Sequence, residues 1–211
     1  MIFLWLAFII GGFLVGSVLF SKIIPQLLAG RDICELGSDG NPGAANVFMK
    51  CGVKLGAICL LCDMLKGFLP VFISTFLLNT ESMWFSLVIA VPALGHALGI
   101  FNSFHGGKCI ATSFGIVLGL MPVTRIGFLL AVLYILFSTV IPLRPHSLRS
   151  VVSFGLFAIG ASVILFITGK YSIALGCVIF SIIAILKHLF VPNKQEEKIS
   201  DGEKIYCAKI Q

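Results

Sequence analysis

Two glycines and a lysine, placed between two long apolar stretches, are the residues of this sequence best suited to bind an anion. Gly106 and Gly107 directly precede Lys108 in the polar segment 104–112. Glycines let backbone amides approach an anion closely, and an adjacent lysine supplies positive charge. We therefore interpret this segment, the second loop, as part of a site for phosphate groups.

Two further polar segments accompany the second loop. Residues 37–46, the first loop, are also rich in glycine, and residues 144–150 form a third polar segment. An otherwise apolar chain has no structural need for two glycine-rich islands, so we interpret them as two halves of one phosphate site at a membrane surface. Ser147 and Ser150 in the third segment either contribute hydroxyl donors to phosphate or simply cap the helix that follows.

The elements that must position these loops are membrane-spanning helices. Hydrophobic residues make up 58% of the 211-residue chain and charged residues 11%, and the mean hydropathy is +1.08. Only helices or closed barrels span a bilayer, whose apolar core is about 30 Å thick. The sequence predicts an all-α integral membrane protein with about seven helices, five or six being possible, in one domain over residues 1–191, followed by a polar cytoplasmic tail over residues 192–211. The predicted spans are residues 2–24, 52–78, 83–101, 110–120, 123–142, 151–168 and 171–191, of which the fourth is short enough to be tilted, partly re-entrant or buried.

The distribution of basic residues predicts the orientation. With the amino terminus outside, twelve of the 15 lysines and arginines lie at the inner face. Arg125 and Lys170 lie at the outer face, and Lys66 lies inside a span. This asymmetry follows the positive-inside rule. It puts all three polar segments at the cytoplasmic face of a multi-pass plasma membrane protein. The net charge of +6 is then explained by topology, and no nucleic acid partner is expected.

Several polar residues within the predicted spans need an explanation. Asp63 and Lys66 are three residues apart, so they share a helix face and can meet. They either form a structural ion pair or line a polar cavity shared with the loops. His96 either donates a packing hydrogen bond or contacts a ligand. His188 either neutralises the carboxyl end of its helix or belongs to the site.

In their order along the chain, these segments resemble the bacterial integral-membrane acyl-phosphate:glycerol-3-phosphate acyltransferase family. Residues 37–46 are similar to the family's first loop. Gly95 and His96 followed by residues 104–112 are similar to its second, and residues 147–150 to its third. Residues 63–70 also match a helix that the family has between the first two loops. The resemblance covers nearly the whole chain up to the tail.

The resemblance implies a seven-helix fold with a groove that faces the cytoplasm. It implies transfer of a fatty acyl group from acyl phosphate to the 1-hydroxyl of glycerol 3-phosphate, without cofactor or metal, among membrane lipids. By position, the catalytic residues would be Lys108, Ser150 and His188, the phosphate-binding residues Ser38, Gly40, Asn41, Gly43, Asn46, Lys50, His105, Gly106, Gly107, Thr112 and Ser147, and the supporting residues Asp63, Lys66 and His96.

The sequence departs from the family pattern at the phosphate site. The first loop carries one extra residue before Asn41. Met49 stands where the family has an arginine, with Lys50 as the nearest substitute, and His105 replaces a lysine. Lysine cannot reproduce a bidentate guanidinium contact with phosphate. The alternatives to an active acyltransferase with an altered phosphate site are a non-catalytic relative that binds anionic lipid or acyl phosphate, and a transporter of a small phosphate.

Overall fold

The computed structural model of the chain describes residues 2–37 and 39–190. These residues form ten α-helices and no β-strand, which confirms the all-α prediction. A single 3₁₀ turn (Ile100–Asn102) follows the sixth helix, and a π-helical turn (Leu136–Val140) follows the eighth. The helices are α1 (Ile2–Ser17), α2 (Phe20–Ala29), α3 (Ile33–Leu36), α4 (Ala44–Cys51), α5 (Val53–Leu77), α6 (Phe85–Leu98), α7 (Ile110–Gly119), α8 (Gly127–Ile135), α9 (His146–Ile167) and α10 (Tyr171–Phe190). Ser38 and the predicted tail, residues 192–211, lie outside the described residues.

Four stretches of the described chain are long and apolar enough to cross a membrane. They are α5, α6 with its 3₁₀ turn, α9 and α10, and the bent pair of α1 and α2 counts as a fifth. α7 has ten residues and is therefore about 15 Å long, half the thickness of the apolar core. The segment formed by α8 and the π-helical turn is also short. The predicted count of seven spans is therefore not confirmed.

The first predicted span, residues 2–24, is two helices rather than one. α1 ends at Ser17 and α2 begins at Phe20, with a bend of 44° between them. The break frees the Val18 carbonyl, which accepts a hydrogen bond of 2.5 Å from Lys66 Nζ. Hydropathy continues across the break, so the apolar pattern alone predicts a single helix. The bend is stabilised by a buried side chain of another helix, since freed backbone groups need partners in lipid.

Small residues let the helices that carry the site pack closely. α5 packs along α7, and α1 packs along α6. A Cβ atom at Gly67 of α5 would overlap the Thr112 carbonyl, and one at Gly115 of α7 would overlap the Met64 carbonyl. Such close backbone approach is typical of helix packing in membranes. It fixes α7, and therefore the second loop before it, against α5.

The connections between helices gather at two ends of the bundle. At one end, Lys170 Nζ donates to the Val123 carbonyl and Ser172 Oγ donates to the Thr80 carbonyl. At the other end, Lys108 of the second loop contacts Asp39 of the first loop. The polar first and second loops thus lie at one end of the bundle, and the connections that contain Thr80, Val123 and Lys170 lie at the other end. α10, which packs on α6 and α9, joins the two ends.

Candidate functional site

The first loop is organised by the carboxylate of Asp39. Asp39 Oδ1 accepts hydrogen bonds from Asn46 Nδ2 at 2.8 Å and from the Asn41 backbone N–H at 3.2 Å. Asn46 Nδ2 also donates to the Asn41 carbonyl at 2.9 Å. Gly40 has φ +63°, a left-handed conformation that glycine adopts at little cost. The chain can therefore turn sharply at Gly40 and enter α4, with Asn46 in its first turn.

The second loop is held in a strained conformation against α6. The Gly107 N–H donates to the His96 carbonyl at 2.9 Å, and a Cβ at Gly107 would overlap the His96 ring. Ser103, Phe104 and Cys109 all have positive φ without being glycine. Non-glycine residues in this region cost about 1–3 kcal/mol each and cluster at functional sites. The strain at both ends of the loop fixes where Lys108 projects.

An ion pair joins the first loop to the second. Lys108 Nζ lies 2.7 Å from Asp39 Oδ2, and the two side chains are 10% and 14% exposed. Burial disfavours the charged carboxylate, but the hydrogen bonds from Lys108 and Asn46 outweigh it and hold the pKa of Asp39 below its usual value. The Asp39 carboxylate is therefore ionised at neutral pH. The two glycine-rich segments lie together, as the sequence predicts.

The third polar segment approaches the same place. Ser150 is fully buried, and its Oγ accepts a hydrogen bond of 2.8 Å from the Tyr134 hydroxyl. The rings of His146 and His188 stack with their centroids 6.3 Å apart. His188 lies in the last turn of α10, so this contact joins the start of α9 to the end of α10. α9 begins at His146, with Pro145 at its N-cap, so Ser147 and Ser150 lie inside the helix and do not cap it.

Several buried polar atoms around these segments have no hydrogen-bond partner among the described residues. They include Thr112 Oγ1 in the first turn of α7, Arg149 Nε in the first turn of α9, and His188 Nε2; Ser113 Oγ of α7 and Ser153 Oγ of α9 are further such atoms. His188 Nδ1 is occupied, since it lies 2.8 Å from the Ala184 carbonyl. Buried polar groups normally have partners, so such atoms are candidates for ligand contacts. The amino ends of α4, α7 and α9 lie among them, and helix amino ends favour anions.

A second polar cluster lies deeper, between α5, α6 and the break after α1. Lys66 Nζ lies 2.9 Å from Asp63 Oδ1, 2.7 Å from His96 Nδ1 and 2.5 Å from the Val18 carbonyl. Ser21 Oγ donates to the other carboxylate oxygen of Asp63. Asp63, Lys66 and His96 are all 3% exposed or less. The predicted meeting of Asp63 with Lys66 is confirmed, and their contacts support the structural interpretation of the pair.

Three side chains that the sequence predicts to bind phosphate make no contact with Asp39 or Lys108 among the described residues. They are His105, Lys50 and Ser147. The His105 ring is exposed and lies 2.7 Å from the Ser103 carbonyl. Lys50 is exposed and lines an open cavity of about 480 Å³ together with Arg31 and Asp32. Ser147 has no side-chain hydrogen bond among the residues described. Ser38 lies outside the described residues.

The sequence interpretation missed four residues that the structure brings to this end of the bundle: Asp39, Tyr134, His146 and Arg149. Asp39 is acidic, and an acidic residue does not look like part of an anion site. A signal for it was the extra residue in the first loop. Tyr134 lies within a predicted span, where an aromatic side chain is expected to pack in the core. His146 and Arg149 belong to the third polar segment but flank the serines on which the interpretation relied.

Sequence comparisons relate the chain to one family along nearly its whole length. The family model described as glycerol-3-phosphate acyltransferase matches residues 6–193. A glycerol-3-phosphate acyltransferase of Hydrogenobaculum sp. (strain Y04AAS1) is 35% identical over 191 residues, which cover 87% of this chain and 92% of that protein. Glycerol-3-phosphate acyltransferase 2 of Bacillus cereus (strain ATCC 10987 / NRS 248) is 34% identical over 209 residues, covering 97% and 99%.

Structural comparison gives the same relationship. The crystal structure of PlsY, an integral membrane glycerol 3-phosphate acyltransferase, in its glycerol 3-phosphate form has a TM-score of 0.75 and 27% identity, with 94% of this chain and 92% of that chain covered. Its lysophosphatidic acid form has a TM-score of 0.71 and 25% identity over the same shares. The helical bundle described above is therefore shared with an integral membrane enzyme.

Proposed function

Because the chain belongs to the glycerol-3-phosphate acyltransferase family, we propose that it transfers a fatty acyl group from an acyl phosphate to the 1-hydroxyl of glycerol 3-phosphate. Acyl transfer to glycerol 3-phosphate, a step of phospholipid synthesis, follows from the family. The acyl phosphate donor, the residue roles, the seven-span topology and the location at the cytoplasmic face of the plasma membrane are proposed. The family does not favour the alternative of a non-catalytic lipid-binding relative.

The contact between Lys108 and the first loop is the observation that supports the proposal most. An ammonium group has three N–H donors, and Asp39 is the one side-chain partner of Lys108 among the described residues. The remaining donors can therefore bind a phosphate oxygen. Asn46 Nδ2 donates to the other oxygen of Asp39 and to the Asn41 carbonyl, so its amide can bind a phosphate that takes the place of Asp39. A phosphate bound here would meet a cation, an amide and the amino ends of α4 and α7.

The reaction needs positioning and charge stabilisation from the protein. The acceptor's 1-hydroxyl oxygen attacks the acyl carbon, the bond from that carbon to the donor's phosphate oxygen breaks, and the hydroxyl proton leaves on the released phosphate. The products are lysophosphatidate and inorganic phosphate. Lys108 would stabilise the developing phosphate charge. Ser150, the unpartnered Nε2 of His188 and Thr112 Oγ1 would orient the phosphate groups.

The positive-inside asymmetry supports the cytoplasmic assignment of the polar end. Lys22, Lys108 and Lys187 belong to that end. Lys22 Nζ contacts Asn102 beside the second loop at 2.6 Å, and Lys187 lies in the last turn of α10. This basic rim would attract two anionic substrates from the cytoplasm.

The proposal is tested by measuring phosphate release from palmitoyl phosphate by the purified protein in lipid, with and without glycerol 3-phosphate. The wild type is expected to release phosphate only when the acceptor is present, with lysophosphatidate formed in equal amount. Lys108→Ala is expected to abolish this release. Lys54→Ala is the matched control, because Lys54 is an exposed lysine at the same end of the bundle and should leave the rate unchanged.

Two outcomes would contradict the proposal. Release that does not depend on glycerol 3-phosphate would mean that the protein hydrolyses acyl phosphate without transferring the chain. Unchanged transfer in a folded Lys108→Ala protein would remove Lys108 from the phosphate site.

A further inference from the structure

Asp39 is an anion at the centre of a site built for anions. Its carboxylate holds Lys108 through Oδ2 at 2.7 Å and Asn46 through Oδ1 at 2.8 Å. Both partners belong to the proposed phosphate site. The carboxylate therefore lies where a phosphate oxygen that bridges Lys108 and Asn46 would lie, although two donors of Lys108 remain open to a ligand. A phosphate bound to the same two side chains would lie next to a second negative charge.

The turn that follows Asp39 holds its carboxylate in this contact. Gly40, in its left-handed conformation, turns the chain directly after it. The turn lets the Asn41 N–H donate back to the Asp39 carboxylate. The first loop is thus folded so that a carboxylate lies against Lys108.

A role as general base does not fit this environment. Hydrogen bonds from Lys108 and Asn46 hold the pKa of Asp39 below its usual value, and a carboxylate with a low pKa is a weak base. Both of its oxygens already accept hydrogen bonds. The same contacts suit an internal counterion, which stabilises Lys108 when no substrate is bound.

We propose that Asp39 is an internal competitor of the substrate phosphate, whose carboxylate must leave Lys108 and Asn46 when a phosphate group binds. The inference depends on the proposed phosphate site at Lys108. Since breaking the ion pair opposes binding, Asp39 weakens the affinity for the substrate and sets the concentration at which the enzyme works. The phosphate that displaces it belongs either to glycerol 3-phosphate or to the acyl phosphate.

The test is the Asp39→Asn variant, which keeps the size and the acceptor oxygen of the side chain and removes its charge. Initial rates of acyl transfer are measured while glycerol 3-phosphate is varied at saturating palmitoyl phosphate, and then the reverse. The KM for one of the two substrates is expected to fall by about three- to tenfold, the size of a partly screened ion pair. The substrate whose KM falls is the one whose phosphate displaces Asp39.

Two further variants separate charge from structure. Asp39→Glu keeps the charge and should keep the higher KM. Asp32→Asn removes a carboxylate from the neighbouring segment, where Asp32 caps α3 and lies 3.9 Å from Lys22, and should leave both KM values unchanged.

The outcomes are distinguishable from a failure of the proposed function. If the wild type transfers no acyl group, the function itself is wrong. If the wild type is active and Lys108→Ala is not, but Asp39→Asn leaves both KM values unchanged or raises either one, Asp39 does not compete with phosphate. A fall in kcat at constant KM would likewise overturn the inference, since it would mean that Asp39 positions Lys108 for the reaction.

Discussion

Two lysine–aspartate pairs in this protein have nearly the same length and different surroundings. Lys108 lies 2.7 Å from Asp39, and Lys66 lies 2.9 Å from Asp63. The side chains of the first pair are 10% and 14% exposed, whereas both side chains of the second are 1% exposed. The difference in exposure decides whether a third molecule can reach the charges.

The more buried lysine, Lys66, also has more protein partners than Lys108. Lys66 Nζ lies within 2.5–2.9 Å of Asp63 Oδ1, His96 Nδ1 and the Val18 carbonyl. Because its side chain is only 1% exposed, a ligand has no access to it. Lys108 has a single side-chain partner within the described residues. We therefore interpret Lys66, which is enclosed by protein partners, as a residue that holds helices together, and Lys108, which has donors available, as a residue that binds a ligand.

The two clusters are nevertheless connected. His96 contacts Lys66 through its ring, and its carbonyl accepts the N–H of Gly107 in the second loop. The buried joint therefore supports the loop that carries Lys108. We call Asp63, Lys66 and His96 the buried cluster, and Asp39 and Lys108 the open cluster. The comparison predicts that substitutions in the buried cluster mainly lower stability and that substitutions in the open cluster mainly lower activity.

The largest expected effect is that of Lys66→Met, which leaves the buried Asp63 carboxylate without its cation and the Val18 carbonyl without its donor. Removing one partner of a buried pair costs about 3–5 kcal/mol. The variant is expected to unfold at a much lower temperature in detergent and to give little folded protein. A melting temperature equal to that of the wild type would mean that Lys66 is not a structural joint.

The matched change in the open cluster, Lys108→Met, is expected to do the reverse. The side chains of this pair are 10% and 14% exposed, against 1% for the pair of Lys66, so the melting temperature should fall less than in Lys66→Met. The rate of acyl transfer should fall by about 10²-fold or more, because an electrostatic group at the developing charge is lost. Parallel unfolding curves and initial rates test both statements. If Lys108→Met lowered the melting temperature as much as Lys66→Met, both lysines would be structural and the predicted difference between the two clusters would be wrong.

The sequence predicts these two clusters unequally well. The pairing of Asp63 with Lys66 depends only on a spacing of three residues in a helix, which is a local property. The contact of Lys108 with Asp39 joins residues 69 positions apart and depends on how α5 and α7 pack. Local rules identify Lys108 as a cation beside glycines, but they contain nothing that selects Asp39 as its partner.

The same limit applies to the helices. The long apolar stretches predict α5, α6, α10 and the carboxyl end of α9 closely, because hydropathy measures what lipid requires. The bend after Ser17 follows from the contact of Lys66 with Val18, which no apolar pattern contains. Likewise, α9 begins at His146, before the apolar stretch that predicts a span from residue 151. Its polar first turn, which carries His146 and Arg149, is part of the candidate site.

Packing between α5 and α7 is the physical link between the two clusters, and Gly115→Ala tests it. The added methyl would overlap the Met64 carbonyl, so the helices must move apart at a cost of about 1–3 kcal/mol. Stability and activity should both fall, since α5 carries the joint and α7 follows Lys108. Gly155→Ala is the control, because a Cβ at Gly155 meets nothing within 4 Å. Equal melting temperatures for the two variants would contradict the expected close approach.

The smallest expected effect is that of Tyr134→Phe, which tests whether Ser150 in the third polar segment acts in phosphate binding or in helix packing. Tyr134→Phe removes the 2.8 Å hydrogen bond to Ser150 Oγ, a loss of about 0.5–1.5 kcal/mol. Since Ser150 is proposed to orient phosphate, kcat/KM should fall by about three- to tenfold, mainly through KM. Tyr171→Phe, at an exposed tyrosine, should change neither quantity. A lower melting temperature with unchanged kcat/KM would instead place Ser150 with Lys66, among the residues that hold helices together.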